Sequence, residues 1–418
     1  MDLNDESLTF LTKLVSCGKV EEAKDFDMED CKRFWRSETV VKWFEVKGYT
    51  PYKESFEGPW YDEPRLPFDD YCKRNYPYAY HQAVNGLAAL DLTGKIVYAQ
   101  DSERRHVVIK LTRTGSDEYH IIQFLHEQGP EILQRHCILP ILELLHCHNV
   151  CFTVMSRWGS GIYLPQSNTL GGFLFIMQSM LKVALTFLHS NNIIHRDVNM
   201  NNMVVDFFGN ELTSGGYYAL RHAHLVEGLL SYALIDFDLS IMLSPDIRRE
   251  NFRLPRQKSW AGTYCHSDVL QGELDYNPFA YDVGILGAVF CESYQKYTTQ
   301  IPMLAPFLDR MIARDVRKRF TAAEALEFLN NVIQNATEAQ LSISQDANSF
   351  VGHYETYDRW KGLPQDFQEK WAAYREPVGI SLSWKMLRAI RESRWLPESL
   401  IPNLRRLILK SRSYTKGI

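Results

Sequence analysis

The chain has 418 residues, 45% of them apolar and 23% charged, with 46 Lys and Arg against 51 Asp and Glu and a net charge of −5. That balance suits a globular protein of two or three packed units. It excludes wholesale binding to nucleic acid or to an anionic membrane surface. No segment reads as long and apolar enough to span a bilayer, and the acidic N-terminus lacks the basic-then-apolar order of a secretion signal.

Residues 1 to about 50 read as helical, with Phe34, Trp35, Val40, Val41, Trp43 and Phe44 at apolar positions. From Thr50 to about Tyr80 the chain is rich in Pro, Tyr and Asp, which predicts an extended segment wrapped over other structure. Strand signals run from about Leu87 to Leu111 and end in Val107-Val108-Ile109-Lys110. A helix is predicted from Ser116 to Glu127, begun by Ser116 and Asp117, with Ile121, Ile122 and Leu125 as its apolar face. Two more strands, Ile138 to Leu145 and Cys151 to Met155, flank a turn at His148-Asn149. His146, Cys147, His148 and Cys151 offer metal-ligating atoms. Strand alternation sends neighbours to opposite faces, which favours a plain hairpin. The eight cysteines are scattered and read as reduced thiols.

After Trp158 the pattern is mostly helical, and a long helix from Leu170 to His189 runs into His195. Beyond about Glu338 a polar linker leads to helices at Phe367 to Tyr374, Trp384 to Glu392 and Leu400 to Lys410.

Phosphoryl transfer from ATP requires a carboxylate at the attacking hydroxyl, ligands for Mg²⁺ and a cation on the phosphates. The string His195-Arg196-Asp197-Val198-Asn199-Met200-Asn201-Asn202, following an apolar helix, resembles a protein-kinase catalytic loop. Leu234-Ile235-Asp236-Phe237-Asp238 resembles the metal-binding Asp-Phe-Gly motif. Ala261 to Leu270 resembles the end of an activation segment, with Asp268 where Ala-Pro-Glu supplies its Glu. Asp282-Val283-Gly284-Ile285-Leu286-Gly287 resembles the buried helix that anchors the catalytic loop, and Asp315 to Ala322 the late Asp-Pro-x-x-Arg motif.

Residues 80 to about 335 are therefore similar to eukaryotic-type protein kinases, particularly a diverged fungal-type branch. The resemblance implies an α+β, two-lobed kinase-like fold with helical extensions at both ends. Its parts are an accessory segment 1–79, a small β-rich lobe 80–157, a larger helical lobe 158–338 and an extension 339–418. It also implies ATP and Mg²⁺ as cofactors, a protein substrate, neither nucleic acid nor membrane as partner, and an intracellular location, cytoplasmic or nuclear.

The resemblance further implies roles. Asp197 would orient the substrate hydroxyl and accept its proton. Asn202 and Asp236 would hold Mg²⁺, and Lys110, fixed by Glu118, would contact the phosphates. Gly94, Met155 and Arg157 would line the nucleotide site. Arg196 would read a phosphorylated activation loop, and a buried Asp268–Arg319 ion pair is expected.

Four departures bear on activity. Only Gly94 remains of the glycine loop, with Ala89 and Asp91 at the other two positions, and a carboxylate at Asp91 would repel phosphate unless turned outward. Asn199 stands where a phosphate-binding Lys is usual, at a cost of roughly 3 kcal/mol or 10²-fold in rate. Asp238 replaces the glycine after Phe237. Residues 206 to 230 are enlarged, and Asp282 to Arg319 is short. The first reading is a protein kinase acting on Ser or Thr. A pseudokinase scaffold and a small-molecule phosphotransferase are the alternatives.

Overall fold

Strand alternation organises the first half of the molecule. In this computed structural model, residues 10–11, 28–54, 61–72, 75–83, 86–91, 94–160, 169–211, 218–259, 265–344, 352–392 and 403–407 are described. They fall into two compact units, residues 1–166 with 203–238, and residues 167–202 with 239–418.

In the first unit, strands β1 (Thr50–Pro51), β2 (Ile96–Gln100), β3 (His106–Arg113), β4 (Ile141–Cys147) and β5 (Val150–Ser156) form one antiparallel sheet in the order β1-β2-β3-β5-β4. Val107, Ile109 and Leu111 of β3 share a buried cluster with Val97, Phe152 and Val154. Helices α1 (Met28–Arg36) and α2 (Glu38–Val46) close that cluster with Phe34, Trp35, Val40, Trp43 and Phe44. Each such side chain contributes roughly 1.5–3 kcal/mol on burial, so the N-terminal helices belong to the core of this unit. Lys110 has the opposite parity and projects from the other face of the sheet.

Helix α3 (Asp117–Gln128) starts where the Ser116 hydroxyl accepts the Tyr119 N–H at 3.1 Å, and it buries Ile121, Ile122 and Leu125. The turn at His148-Asn149 joins β4 to β5 as a hairpin, with His148 at φ 52°.

The second unit is mainly helical. Helix α4 (Leu170–Met180) continues through a widened turn, Leu181–Phe187, to Ser190. By length and composition the stretch Leu170–Ser190 is apolar enough to cross a bilayer, which corrects the expectation that no segment is. A buried core helix passes the same test, and 56% of its most apolar window is buried. Helix α5 (Pro278–Tyr294) begins with Pro278 at its first position and Asn277 accepting the Ala280 N–H at 3.0 Å. Helices α6 (Leu304–Met311) and α7 (Ala322–Asn335) follow, the latter opened by a Thr321–Glu324 capping box.

The C-terminal residues are stitched to α6. Asp309 accepts from Arg359 Nε at 2.5 Å, Trp360 Nε1 at 2.7 Å and the Glu376 N–H at 2.7 Å. Trp360 is fully buried. Helix α8 (Leu382–Glu392) is tied back by a bidentate Arg388–Glu355 pair, both contacts at 2.7 Å. The third predicted C-terminal helix is described only at 403–407. The architecture is α+β, with an N-lobe-like sheet and a mainly helical remainder, consistent with a kinase-like fold.

Candidate active site

The first unit assembles Lys110, Glu118 and Asp236. Lys110 Nζ lies 2.6 Å from Glu118 Oε1 and 2.6 Å from Asp236 Oδ1. The Lys110 and Glu118 side chains are nearly buried. Burial opposes the Lys110 charge, but the carboxylates of Asp236 and Glu118 outweigh it and hold the ammonium well above the usual lysine range. Burial likewise pushes Glu118 upward while Lys110 pulls it down. Asp236 and Asp238 add to the upward push on Glu118, and the net shift of its carboxyl is upward. Asp236 sits at φ 70°, a left-handed conformation that Asp tolerates better than most residues. Its side chain is 36% exposed, which leaves the carboxylate within reach of a cation.

The second unit assembles Asp197, Asn199 and Asn202. Asn199 Nδ2 donates to Asp197 Oδ1 at 2.9 Å, and Asn202 Nδ2 donates to Asp197 Oδ2 at 2.8 Å. Asn202 also donates to the Asp197 carbonyl at 2.9 Å. With its amide nitrogen directed at Asp197, Asn202 offers its carbonyl oxygen to a metal. Asn199 Oδ1 accepts the Asn201 N–H at 2.8 Å, so Asn199 braces the loop as well as Asp197. What sequence reading registers as a missing cation is here a second amide holding the carboxylate.

The loop is anchored from α5. Asp282 accepts the His195 N–H and the Arg196 N–H, each at 2.9 Å, and lies 3.2 Å from His189 Nε2. Ser240 Oγ donates to the His195 carbonyl at 3.0 Å. Arg196, at φ 68°, donates to the carbonyls of Leu239 at 2.8 Å and of Lys258, so its guanidinium binds main chain of the activation segment.

Arg319 grips Asp268 with two contacts of 2.7 Å, both side chains being buried. Arg319 and His266 hold the Asp268 carboxyl well below the usual carboxylate range against the effect of burial. Gly284 makes room for this pair, since a Cβ there would meet Arg319 Nη1 at 2.9 Å and His266 Cγ at 3.0 Å. Thr263 and Ala261 to Tyr264 lie outside the described residues.

Two residues expected at the nucleotide site, Gly94 and Arg157, have partners within the protein. The strand beside β2 is β1, from residues 50–51, while Ala89–Leu90 pairs with Tyr61–Glu63. Among the described residues Ala89–Leu90 and β2 are not paired with each other. The Gly94 N–H donates to Asp91 Oδ1 and Oδ2, both at 3.1 Å, and its carbonyl accepts Trp35 Nε1 at 2.9 Å. Asp91 is turned inward, 3.3 Å from the buried Lys32 Nζ, which lies 3.5 Å from Asp62 as well. Nothing local in the sequence links α1 to this turn, because Trp35 and Gly94 are 59 positions apart.

Arg157 is the second of these residues. Its guanidinium is fully buried and donates to Tyr52 Oη at 3.2 Å, the Leu87 carbonyl at 2.9 Å, and the Ala88 carbonyl and Glu211, both at 3.3 Å. That set ties the unit together. Met155 is half-buried beside Leu139 and Trp158.

No protein-family model matches the chain. It is 24% identical over 188 residues, 43% of its length, to the serine/threonine-protein kinase STY17 of Arabidopsis thaliana, covering 32% of that protein. It is 25% identical over 148 residues, 34% of its length, to the human testis-specific serine/threonine-protein kinase 4, covering 39% of it. The chain thus spans about a third of the length of these curated relatives. Over these stretches the chain is similar to serine/threonine protein kinases, and its α+β architecture is consistent with a kinase-like fold. Neither relative supports a fungal-type branch.

Proposed function

We propose that this chain is an ATP- and Mg²⁺-dependent protein kinase that transfers the γ-phosphate to a Ser or Thr hydroxyl of a protein. The observation that carries the reading is the Lys110 ammonium held at 2.6 Å by both Glu118 and Asp236. A flexible Lys stem fixed in this way is a preorganised phosphate ligand. The names of the two relatives favour the same activity and the same acceptor.

Mg²⁺–ATP supplies the phosphoryl group and neutralises charge on its oxygens. In this reading Lys110 binds the phosphate oxygens, while Asp236 and the Asn202 carbonyl oxygen hold the metal. Asp197, oriented by Asn199 and Asn202, hydrogen-bonds the acceptor hydroxyl and takes its proton. Such a reaction has its setting inside the cell, in cytoplasm or nucleus, where ATP is available.

The second reading is a nucleotide-binding pseudokinase. The observation in its favour is the turn at Gly94, whose N–H serves Asp91 rather than phosphate. Transfer of label from ATP to generic protein acceptors, with Asp197→Asn as control, separates the two. Equal silence of wild type and variant with ATP binding retained selects the pseudokinase.

A further inference from the structure

We propose that Lys95 is a second phosphate-binding cation of the nucleotide site, in addition to Lys110. The inference rests on the kinase reading above and deepens it.

Lys95 Nζ lies 3.5 Å from Asp238 Oδ2, and Asp238 is two residues from the metal-binding candidate Asp236. Both partners are accessible, with 45% of the Lys95 side chain and 33% of the Asp238 side chain exposed. Lys110 feels the Asp238 charge as well as those of Asp236 and Glu118. Lys110 and Lys95 thus stand among the carboxylates of Glu118, Asp236 and Asp238, and Lys95 adds positive charge where a polyanion has to bind.

The backbone beneath Lys95 is fixed on both sides. Its carbonyl accepts the Leu111 N–H at 3.1 Å, one residue beyond Lys110. The preceding Gly94 is clamped by Trp35 Nε1 at 2.9 Å and by the Asp91 carboxylate at 3.1 Å, itself held by Lys32. Helix α1 thus acts as a positioning element, setting where the Lys95 stem leaves the sheet. Asp238 is a counter-ion of Lys95. When phosphate oxygens arrive they replace Asp238 as its partner. The competing description is an ordinary exposed ion pair, which contributes only ~0–1 kcal/mol and no function.

The full chain with Lys95→Gln and with Lys95→Arg decides between them, the exposure of the side chain keeping folding out of the question. ATP affinity is read by displacement of a fluorescent nucleotide in Mg²⁺, and kcat and KM for ATP by phosphate transfer to a generic acceptor. Lys95→Gln is expected to weaken ATP binding and to lower kcat/KM roughly ten- to hundredfold, with Lys95→Arg recovering most of the loss. Wild-type affinity and wild-type kcat/KM in Lys95→Gln overturn the proposal while leaving the kinase reading intact. A wild type that neither binds nor turns over ATP overturns the kinase reading and this inference with it. A wild type that binds without turnover is decided by the affinity of Lys95→Gln alone.

Discussion

Lys110 Nζ stands 2.6 Å from Glu118 Oε1, joining the third strand of the sheet to the helix that follows it. Lys110 is held in β3 by pairing with Ile96 and Thr153, and Glu118 lies in the first turn of α3 behind its Ser116 cap. Glu118→Gln removes one of the two charges on Lys110 and frees its stem to move. A displacement of about 1 Å at a reacting centre costs on the order of 10²-fold. The expected result is a kcat/KM for ATP lower by about that factor, with the fold retained by circular dichroism. Unchanged kinetics would deny the pair a positioning role.

Asn199 carries its own prediction. Its amide donates to the Asp197 carboxylate at 2.9 Å. A hydrogen bond to a charged group contributes roughly 1.5–3 kcal/mol, so Asn199→Ala should slow phosphate transfer by roughly ten- to hundredfold with KM for ATP little changed. A KM effect without a kcat effect would show that Asn199 binds nucleotide instead of orienting Asp197.

The Asp268–Arg319 pair is a matter of stability. Removing one partner of a buried ion pair strands the other, at about 3–5 kcal/mol. Asp268→Asn is therefore expected to lower the unfolding free energy measured by urea titration by an amount of that order. A loss below about 1 kcal/mol would match a surface pair and would contradict the buried geometry.

His106 gives the pH dependence of the first unit. Burial, then the charge of Arg157 and the neighbouring His81, push its imidazole down to about 2. In the unfolded chain a histidine titrates near about 6.5. Below that pH the unfolded state binds the proton and the folded state does not, so stability falls as pH falls from about 6.5 towards 2. The slope from this one group approaches about 1.4 kcal/mol per pH unit. Urea unfolding at pH 7, 6 and 5 should show that loss, and His106→Gln should flatten it. Equal slopes in wild type and variant would place the acid sensitivity elsewhere.

The elements that lie close together in sequence were legible. Ser116 and Asp117 announce α3, the His148-Asn149 turn announces the β4–β5 hairpin, and the His195-to-Asn202 spacing marks a loop whose carboxylate and amides do meet. The Asp268–Arg319 pair was legible because a motif supplies both ends of a contact 51 residues apart. The clamp on Gly94 had no such signal. Trp35 reads as one more apolar residue of a helix, and only the fold brings it and Lys32 to the turn before β2. The partners of Arg157 had no local signal either, since Tyr52, Leu87, Ala88 and Glu211 close around it from far along the chain.

The most direct measurement is Mg²⁺-dependent transfer of labelled γ-phosphate from ATP to a generic protein acceptor by the full chain, run beside Asp197→Asn and Lys110→Met. The account predicts label on Ser or Thr of the acceptor with wild type and a loss of at least about 10²-fold in each variant. Equal labelling by all three chains, or none by wild type while it still binds ATP, would contradict it.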